Sequence, residues 1–74
     1  MNNLESKIEE NIQDIKLIFP QQLTLAPKQL ADLRGISTQT LLRERSKGIG
    51  PKFKKGTTIE YPTREIAKWL IKNI

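Results

Sequence analysis

The apolar residues near the beginning of the chain recur at intervals of three and four. They are Leu4, Ile8, Ile12, Ile15 and then Ile18 or Phe19. This spacing predicts an amphipathic helix, which Pro20 ends because the residue before a proline is pushed out of the helical region. The apolar stripe must be buried. It packs either on the core of its own domain or, since its spacing suits a short coiled-coil seam, on another subunit.

Two short helices with a glycine between them are predicted next. Pro27 suits the first position of a helix, and Gly35 suits the left-handed residue that ends one. Ser37 is a favoured N-cap for a third helix over residues 38–47. That helix ends around Gly48, and residues 48–51 form a loop.

Three residues in this segment favour a helix-turn-helix. Ala31 is small enough for a close crossing of the two helices, Gly35 allows the turn, and Leu41 follows six positions later. Ile36 fills the angle between the helices. Any two short helices around a glycine share part of this pattern. The helix-turn-helix prediction therefore depends on support from the elements predicted after residue 51.

A β-hairpin and a last helix complete the predicted order. Residues 52–55 and 57–61 form two short strands about Gly56, with Phe53, Ile59 and Tyr61 on the inner face and Lys54, Thr58 and Glu60 facing water. Thr63 is the predicted cap of the last helix. The buried stripe of this helix comprises Ile66, Trp69, Leu70 and Ile74, with Ala67 and Ile71 at its margin.

Charge is distributed unevenly along the 74 residues, whose formal net charge is +5. Residues 1–24 hold two bases against four acids, a net −2, whereas residues 25–74 hold eleven bases against four acids, a net +7. This asymmetry is typical of a nucleic-acid-binding domain with an appended interaction element. The alternative is that lysine and arginine merely keep a small protein soluble.

The missing residue types exclude most catalytic chemistry. The chain has no cysteine and no histidine, so thiolate and imidazole metal sites, thiol nucleophiles and the commonest general base are all absent. We therefore expect no enzyme activity, no cofactor and no metal. No apolar run exceeds three residues, far short of a bilayer span, and residues 1–5 lack the order of a secretory signal. We expect a cytoplasmic protein without membrane contact.

Residues spread through the predicted helix-turn-helix, the hairpin and the last helix carry a resemblance to a known family. They are Leu30, Ala31, Asp32, Leu33, Gly35, Ile36, Ser37, Thr40, Leu41, Arg43, Arg45, Ser46, Gly48, Gly50, Pro51, Lys52, Phe53, Tyr61, Trp69 and Leu70. On these residues, positions 25–70 resemble the MerR-type, excisionase-like group, which includes phage excisionases and AlpA-like regulators. Glu44 departs from the pattern, since many members carry a bulky residue there, and the N-terminal helix lies outside it.

The resemblance implies a mainly α-helical fold with a small β-hairpin, namely a winged helix-turn-helix over residues 25–74. An N-terminal amphipathic helix and connector over residues 1–24 precede it. The implied function is sequence-specific binding of double-stranded DNA in a phage or mobile element. The protein would act either as an excisionase-like architectural factor or as a small transcriptional regulator. The alternative class is a protein–protein interaction module that has kept the fold without DNA binding.

Candidate DNA contacts lie on the third helix and on the hairpin. The third helix should enter the major groove, with contacts from Ser37, Thr38, Gln39, Thr40, Arg43 and Lys47. The hairpin should act as a wing near phosphates or the minor groove, with contacts from Lys54, Lys55, Thr57 and Thr58. The alternatives are a solvated helix face and edge-strand lysines that prevent aggregation. Arg45 faces the buried side, as a partner of Glu44 or Glu60 or as a backbone contact.

The expected partners depend on the size of the module. A domain this small buries only about 600–1,000 Å² on DNA, so we expect a homodimer or a cooperative array formed through residues 4–19. An excisionase would in addition bind beside a recombinase or integrase. Tyr61 and Trp69 lie on inward faces and are predicted to be core residues, not platforms for single-stranded bases.

Overall fold

Four helices and three short strands succeed one another along residues 3–72, the part of the chain that the computed structural model describes. The helices are α1 (Asn3–Ile18), α2 (Pro27–Arg34), α3 (Thr38–Lys47) and α4 (Thr63–Lys72). The strands are β1 (Thr24–Leu25), β2 (Lys54–Lys55) and β3 (Ile59–Pro62). The predicted fold class, mainly α-helical with a small β-hairpin, is confirmed.

The boundaries of α2 and α3 are set by local signals. Gly35 and Gly48 end these helices with φ of 69° and 71°, in the left-handed region that favours glycine. The Ser37 hydroxyl accepts a hydrogen bond from the Thr40 N–H at 3.2 Å, which caps α3 as predicted. The helix-loop-helix of residues 27–47 is thus confirmed at each of these positions.

The sheet has one strand more than the sequence pattern predicts. Its order is β1-β3-β2, and all pairs are antiparallel, with Leu25 opposite Tyr61 and Lys54 opposite Glu60. The hairpin is confirmed, although its strands are shorter than predicted. The expected connector of residues 21–24 ends in β1, so the predicted boundary between residues 24 and 25 falls inside this strand.

The core lies where α1, α2, α3 and α4 meet the sheet. Its buried residues are Ile15, Leu25, Leu30, Ala31, Leu41, Tyr61 and Ile66. Ile8 is also buried, and the Asn11 side chain donates to the Ala67 carbonyl at 3.1 Å, which joins α1 to α4. Of the two alternatives for the first helix, packing on its own domain is the one observed. Ile8 and Ile15 are therefore not available as a seam for a second subunit.

Individual side chains also differ from the predictions, among them Leu4 of the α1 stripe, which is 49% exposed. Thr63 does not cap α4: it is the first helical residue, is buried, and donates from its hydroxyl to the Leu23 carbonyl at 3.2 Å. Phe53 was expected on the inner face, but it is 38% exposed, with its ring centroid 6.0 Å from that of Tyr61. Ile74 lies outside the described residues.

Candidate nucleic-acid interface

The outer face of α3 carries a row of long polar side chains. Gln39, Arg43 and Lys47 are spaced four residues apart, which places them on one side of the helix. All three are exposed. Leu41, the buried residue of α3, is fully covered and lies on the opposite side. The helix therefore presents a polar, cationic row away from the core.

The first turn of α3 is ordered by its own side chains. The hydroxyls of Ser37 and Thr40 lie 3.1 Å apart, in addition to the capping bond from the Thr40 N–H. Thr38 is exposed beside them. Ser37 thus uses part of its hydrogen-bonding capacity on the helix terminus, while Thr38 has its hydroxyl at the surface.

The single acidic residue of α3 is turned inward. Glu44 accepts two hydrogen bonds from Arg34, at the end of α2, with lengths of 2.7 and 2.9 Å. The two side chains are only 13% and 15% exposed, Arg34 and Glu44 respectively. The hydrogen bond from Arg34 lowers the pKa of Glu44, aided by the charge attraction and opposed by burial. The outer face of α3 consequently carries no negative charge.

Arg45 connects α3 to the hairpin. Its guanidinium donates to the Tyr61 hydroxyl at 2.7 Å and lies 5.8 and 6.0 Å from the ring centroids of Phe53 and Tyr61. The expectation that Arg45 faces the buried side is confirmed. Of the two alternatives for Arg45, the pairing with Glu44 or Glu60 is wrong, because Glu44 is held by Arg34 and Glu60 accepts from the Thr24 hydroxyl at 3.0 Å. The backbone contact stays a prediction.

The hairpin adds a second group of exposed bases. Lys54 and Lys55 form the edge strand β2 and are exposed, as are Thr57 and Thr58 in the adjoining loop. Within residues 3–72 no carboxylate forms an ion pair with Arg43, Lys47, Lys54 or Lys55. The structure therefore has two groups of exposed basic side chains without ion pairs in that range, one on α3 and one on the hairpin, and Arg45 links these two elements.

Sequence reasoning did not single out Arg34 as part of this arrangement, and it did not identify Tyr61 as the partner of Arg45. The sequence did contain one indication that Arg34 has this role. Glu44 lies three residues after Leu41, hence on the buried side of α3, where a carboxylate needs a partner. A basic residue in the last turn of the preceding helix was the nearest candidate.

Two features are absent from the part of the chain that the structure covers. Among residues 3–72, no three acidic, cysteine or histidine side chains are grouped so that they could hold a metal ion. Over the same residues, no helix combines the length and apolar character needed to cross a bilayer.

No protein-family model, curated protein or solved structure matches the chain. The fold itself defines a small, mainly helical domain with a three-stranded antiparallel sheet, and its arrangement is compatible with a winged-helix-like fold.

Proposed function

We propose that this protein binds double-stranded DNA in a sequence-specific manner as a winged helix-turn-helix. The observation that carries the proposal is the pair of cationic surfaces on α3 and the hairpin, which have no ion-pairing carboxylates among residues 3–72. An unpaired lysine on the surface contributes little to the stability of the protein. Each lysine or arginine that contacts a phosphate, however, adds to the affinity for DNA. The resemblance of residues 25–70 to the MerR-type, excisionase-like group supports the same function.

In this proposal α3 is the recognition helix. Gln39 can donate to and accept from an adenine edge, and Arg43 can donate to O6 and N7 of guanine, each for about 1–3 kcal/mol of discrimination. Lys47, at the far end of the row, suits a phosphate. Thr38 lies in the first turn, where free N–H groups of a helix favour a phosphate oxygen.

The hairpin is the proposed wing. Lys54 and Lys55 on the edge strand, with Thr57 and Thr58 in the loop, would contact phosphates beside the major groove or enter the minor groove. Such contacts supply affinity without base preference. The hydrogen bond between Arg45 and Tyr61 holds the hairpin against α3, so both elements would approach one duplex together.

The test is a comparison of Arg43→Ala with Lys7→Ala, which removes the same charge from the exposed side of α1. A duplex selected from a random pool by the wild-type protein serves as the specific site. We expect Arg43→Ala to cost about 1–3 kcal/mol on this site and to relax preference at one base pair. Lys7→Ala should change little. Absence of any complex with duplex DNA at low salt, or unchanged base preference in Arg43→Ala, would refute the proposal.

Two biological roles fit this activity. An excisionase-like factor would occupy adjacent sites, bend the DNA by tens of degrees and act beside a recombinase. A small transcriptional regulator would occupy one or two sites without requiring a bend. Measuring the bend angle of the complex, by the mobility of circularly permuted fragments, distinguishes the two.

Protein binding is a second candidate activity, favoured by exposed apolar residues in the last turn of α1 and in the connector that follows it. Leu17 is 83% and Leu23 80% exposed, and both lie outside the cationic surfaces. We propose that the protein self-associates through Leu17 and Leu23, because Ile8 and Ile15 are buried in their own domain. Sedimentation with and without DNA should yield a larger species that the double variant Leu17→Ser, Leu23→Ser abolishes. A monomer under both conditions would exclude self-association.

A further inference from the structure

Arg34 and Glu44 form the most buried ion pair among the described residues. Arg34 is the last residue of α2, and its guanidinium donates both hydrogen bonds to the two carboxylate oxygens of Glu44 on α3. The same guanidinium lies 4.2 Å from the ring centroid of Trp69 on α4. One planar group thus joins three helices, and its parallel hydrogen bonds allow little change in their mutual orientation.

Gly50 lies close to the Glu44 side chain, in the loop after α3. A Cβ atom added at Gly50 would lie 2.7 Å from Oε1 and 3.2 Å from Cβ of Glu44, so the backbone of the loop after α3 is in close contact with this side chain. Gly50 has φ of 85°, which also favours glycine. The carboxylate is therefore enclosed between the guanidinium and the loop backbone.

α3 depends on such polar contacts because its apolar contribution is small. Leu41 is its single buried residue. One apolar anchor resists separation of the helix from the core but only weakly resists rotation of the helix about its own axis. Glu44 and Arg45 lie three and four positions after it. Glu44 accepts two hydrogen bonds from Arg34, and Arg45 donates one to the Tyr61 hydroxyl. Neighbouring Arg43 takes its direction from this rotation.

We propose that Arg34 and Glu44 are positioning residues that set the rotation of α3, and through it the base specificity of the row containing Arg43. This inference rests on the proposed function, which it deepens. A buried ion pair is poor evidence for stability, since well-packed apolar residues often serve as well. Its directional geometry is the property that apolar contacts lack.

In the test variant, the loss of a negative charge and the loss of the Arg34 contact should change DNA binding in opposite directions. Glu44→Gln preserves size but removes a negative charge, so electrostatics alone would strengthen binding to every duplex. We expect it instead to weaken binding to the selected site about tenfold, while binding to random duplex is unchanged or stronger, which corresponds to ~1.4 kcal/mol of lost specificity. Glu9→Gln is the matched control: it removes the same charge from the exposed partner of Arg64 and should raise binding to both duplexes equally.

The outcomes separate the inference from the proposed function. If the wild-type protein binds no duplex, both fall. If Glu44→Gln binds both duplexes more tightly, or if its affinity for both falls by the same factor, the proposed DNA binding stands and the positioning role is overturned. Should Glu44→Gln fail to fold, Glu44→Asp replaces it. This variant keeps the charge but shortens the reach to Arg34, and unchanged specificity in a folded Glu44→Asp protein overturns the inference equally.

An acid titration monitors the pair independently of DNA. The folded-state pKa of Glu44 is lowered, chiefly by the hydrogen bond from Arg34, so its stabilising contribution is complete above the ordinary glutamate pKa of about 4.3 and is lost as the pH falls through the lower folded value. Trp69, the single tryptophan of the chain, lies against Arg34. Its fluorescence should change over that acidic range in the wild type. In Glu44→Gln this transition should be absent, and its persistence would mean that the fluorescence reports on another group.

Discussion

The α1–α4 side of the molecule and the α3–hairpin side differ in which of their charged side chains form ion pairs. On the first, Arg64 of α4 pairs with Glu5 and Glu9 of α1, and all three side chains are about half exposed. On the second, Glu44 is turned into the interior, while Glu60 of β3 is exposed opposite Lys54 and accepts a hydrogen bond from the Thr24 hydroxyl. The bases on the outside have no ion-pairing carboxylates among the described residues. Arg64 is thus paired within the chain on the first side, whereas the basic residues of the outer face of α3 and of β2 are not paired with any described carboxylate on the second.

The two sides also differ in the contacts that hold their helices. α1 contributes Ile8 and Ile15 to the buried residues, whereas α3 contributes Leu41 and two hydrogen-bonded polar side chains. A helix with few apolar contacts keeps a larger part of its surface free for a ligand. Its orientation then depends on a small number of contacts. Single substitutions in α3 should therefore change DNA binding, whereas those in α1 should not.

Leu41→Ala should have the largest effect. The side chain is fully buried, and truncation of such a leucine costs about 2–5 kcal/mol through lost burial and the remaining cavity. Because α3 has no other buried apolar residue, we expect DNA affinity to fall as well, even under conditions where the variant is folded. Urea unfolding and binding to the selected duplex measure the two effects.

Ile8→Ala is the control for that comparison. Ile8 is 3% exposed and lies in α1, so its truncation should lower the free energy of unfolding but leave the affinity of folded molecules unchanged. Equal losses of affinity in the two variants would mean that α3 has no special dependence on its single anchor.

Arg45→Met should rank second. The change removes the hydrogen bond to the Tyr61 hydroxyl and the contact with the Phe53 ring while keeping most of the aliphatic stem. We expect a loss of about 1–2 kcal/mol in the free energy of unfolding, since a hydrogen bond from a charged donor is removed from a partly buried site. Amide chemical shifts should change in β2 and β3 more than in α1. If β2 and β3 retain their wild-type shifts, Arg45 does not connect α3 to the hairpin.

The ends of α2 and α3 were predictable because their signals are local. Pro27, Gly35, Ser37 and Gly48 each act on the backbone within a few residues, through a fixed φ, a left-handed conformation or a capping hydroxyl. The same holds for the stripe of α1, whose period appears within one segment. The packing partner of the stripe could not be derived from the pattern, because its spacing suits a domain core and a subunit seam equally.

The missed features depend on residues far apart in sequence. β1 has two residues, too few for an alternating pattern, and exists because Leu25 lies opposite Tyr61 in β3. Helical phase placed Arg45 on the inner side of α3, but its partner is 16 residues away on a strand. The candidate surface was predictable as the outward face of α3 and the lysines of the hairpin. The contacts that orient it were not.

Lys54→Ala and Lys55→Ala should have smaller effects than the interior changes. Both side chains are exposed on an edge strand, so stability should hardly change. If each contacts one phosphate, each substitution lowers the slope of log affinity against log salt concentration by about one, equally for selected and random duplexes. Lys16→Ala on α1 is the matched control. Salt slopes that match the wild-type value in both hairpin variants would mean that these lysines only protect an exposed edge strand.

The smallest effect is expected for Arg64→Gln, which breaks the exposed ion pairs with Glu5 and Glu9. Exposed pairs contribute little because solvent screens them and their side chains lose mobility when they pair. The packing of Ile8 and the bond from Asn11 to Ala67 should keep α1 on α4. We therefore expect a small decrease in melting temperature that disappears at high salt, and unchanged base preference. A loss of base preference in this variant would mean that the α1–α4 side takes part in DNA recognition, and the contrast between the two sides would no longer hold.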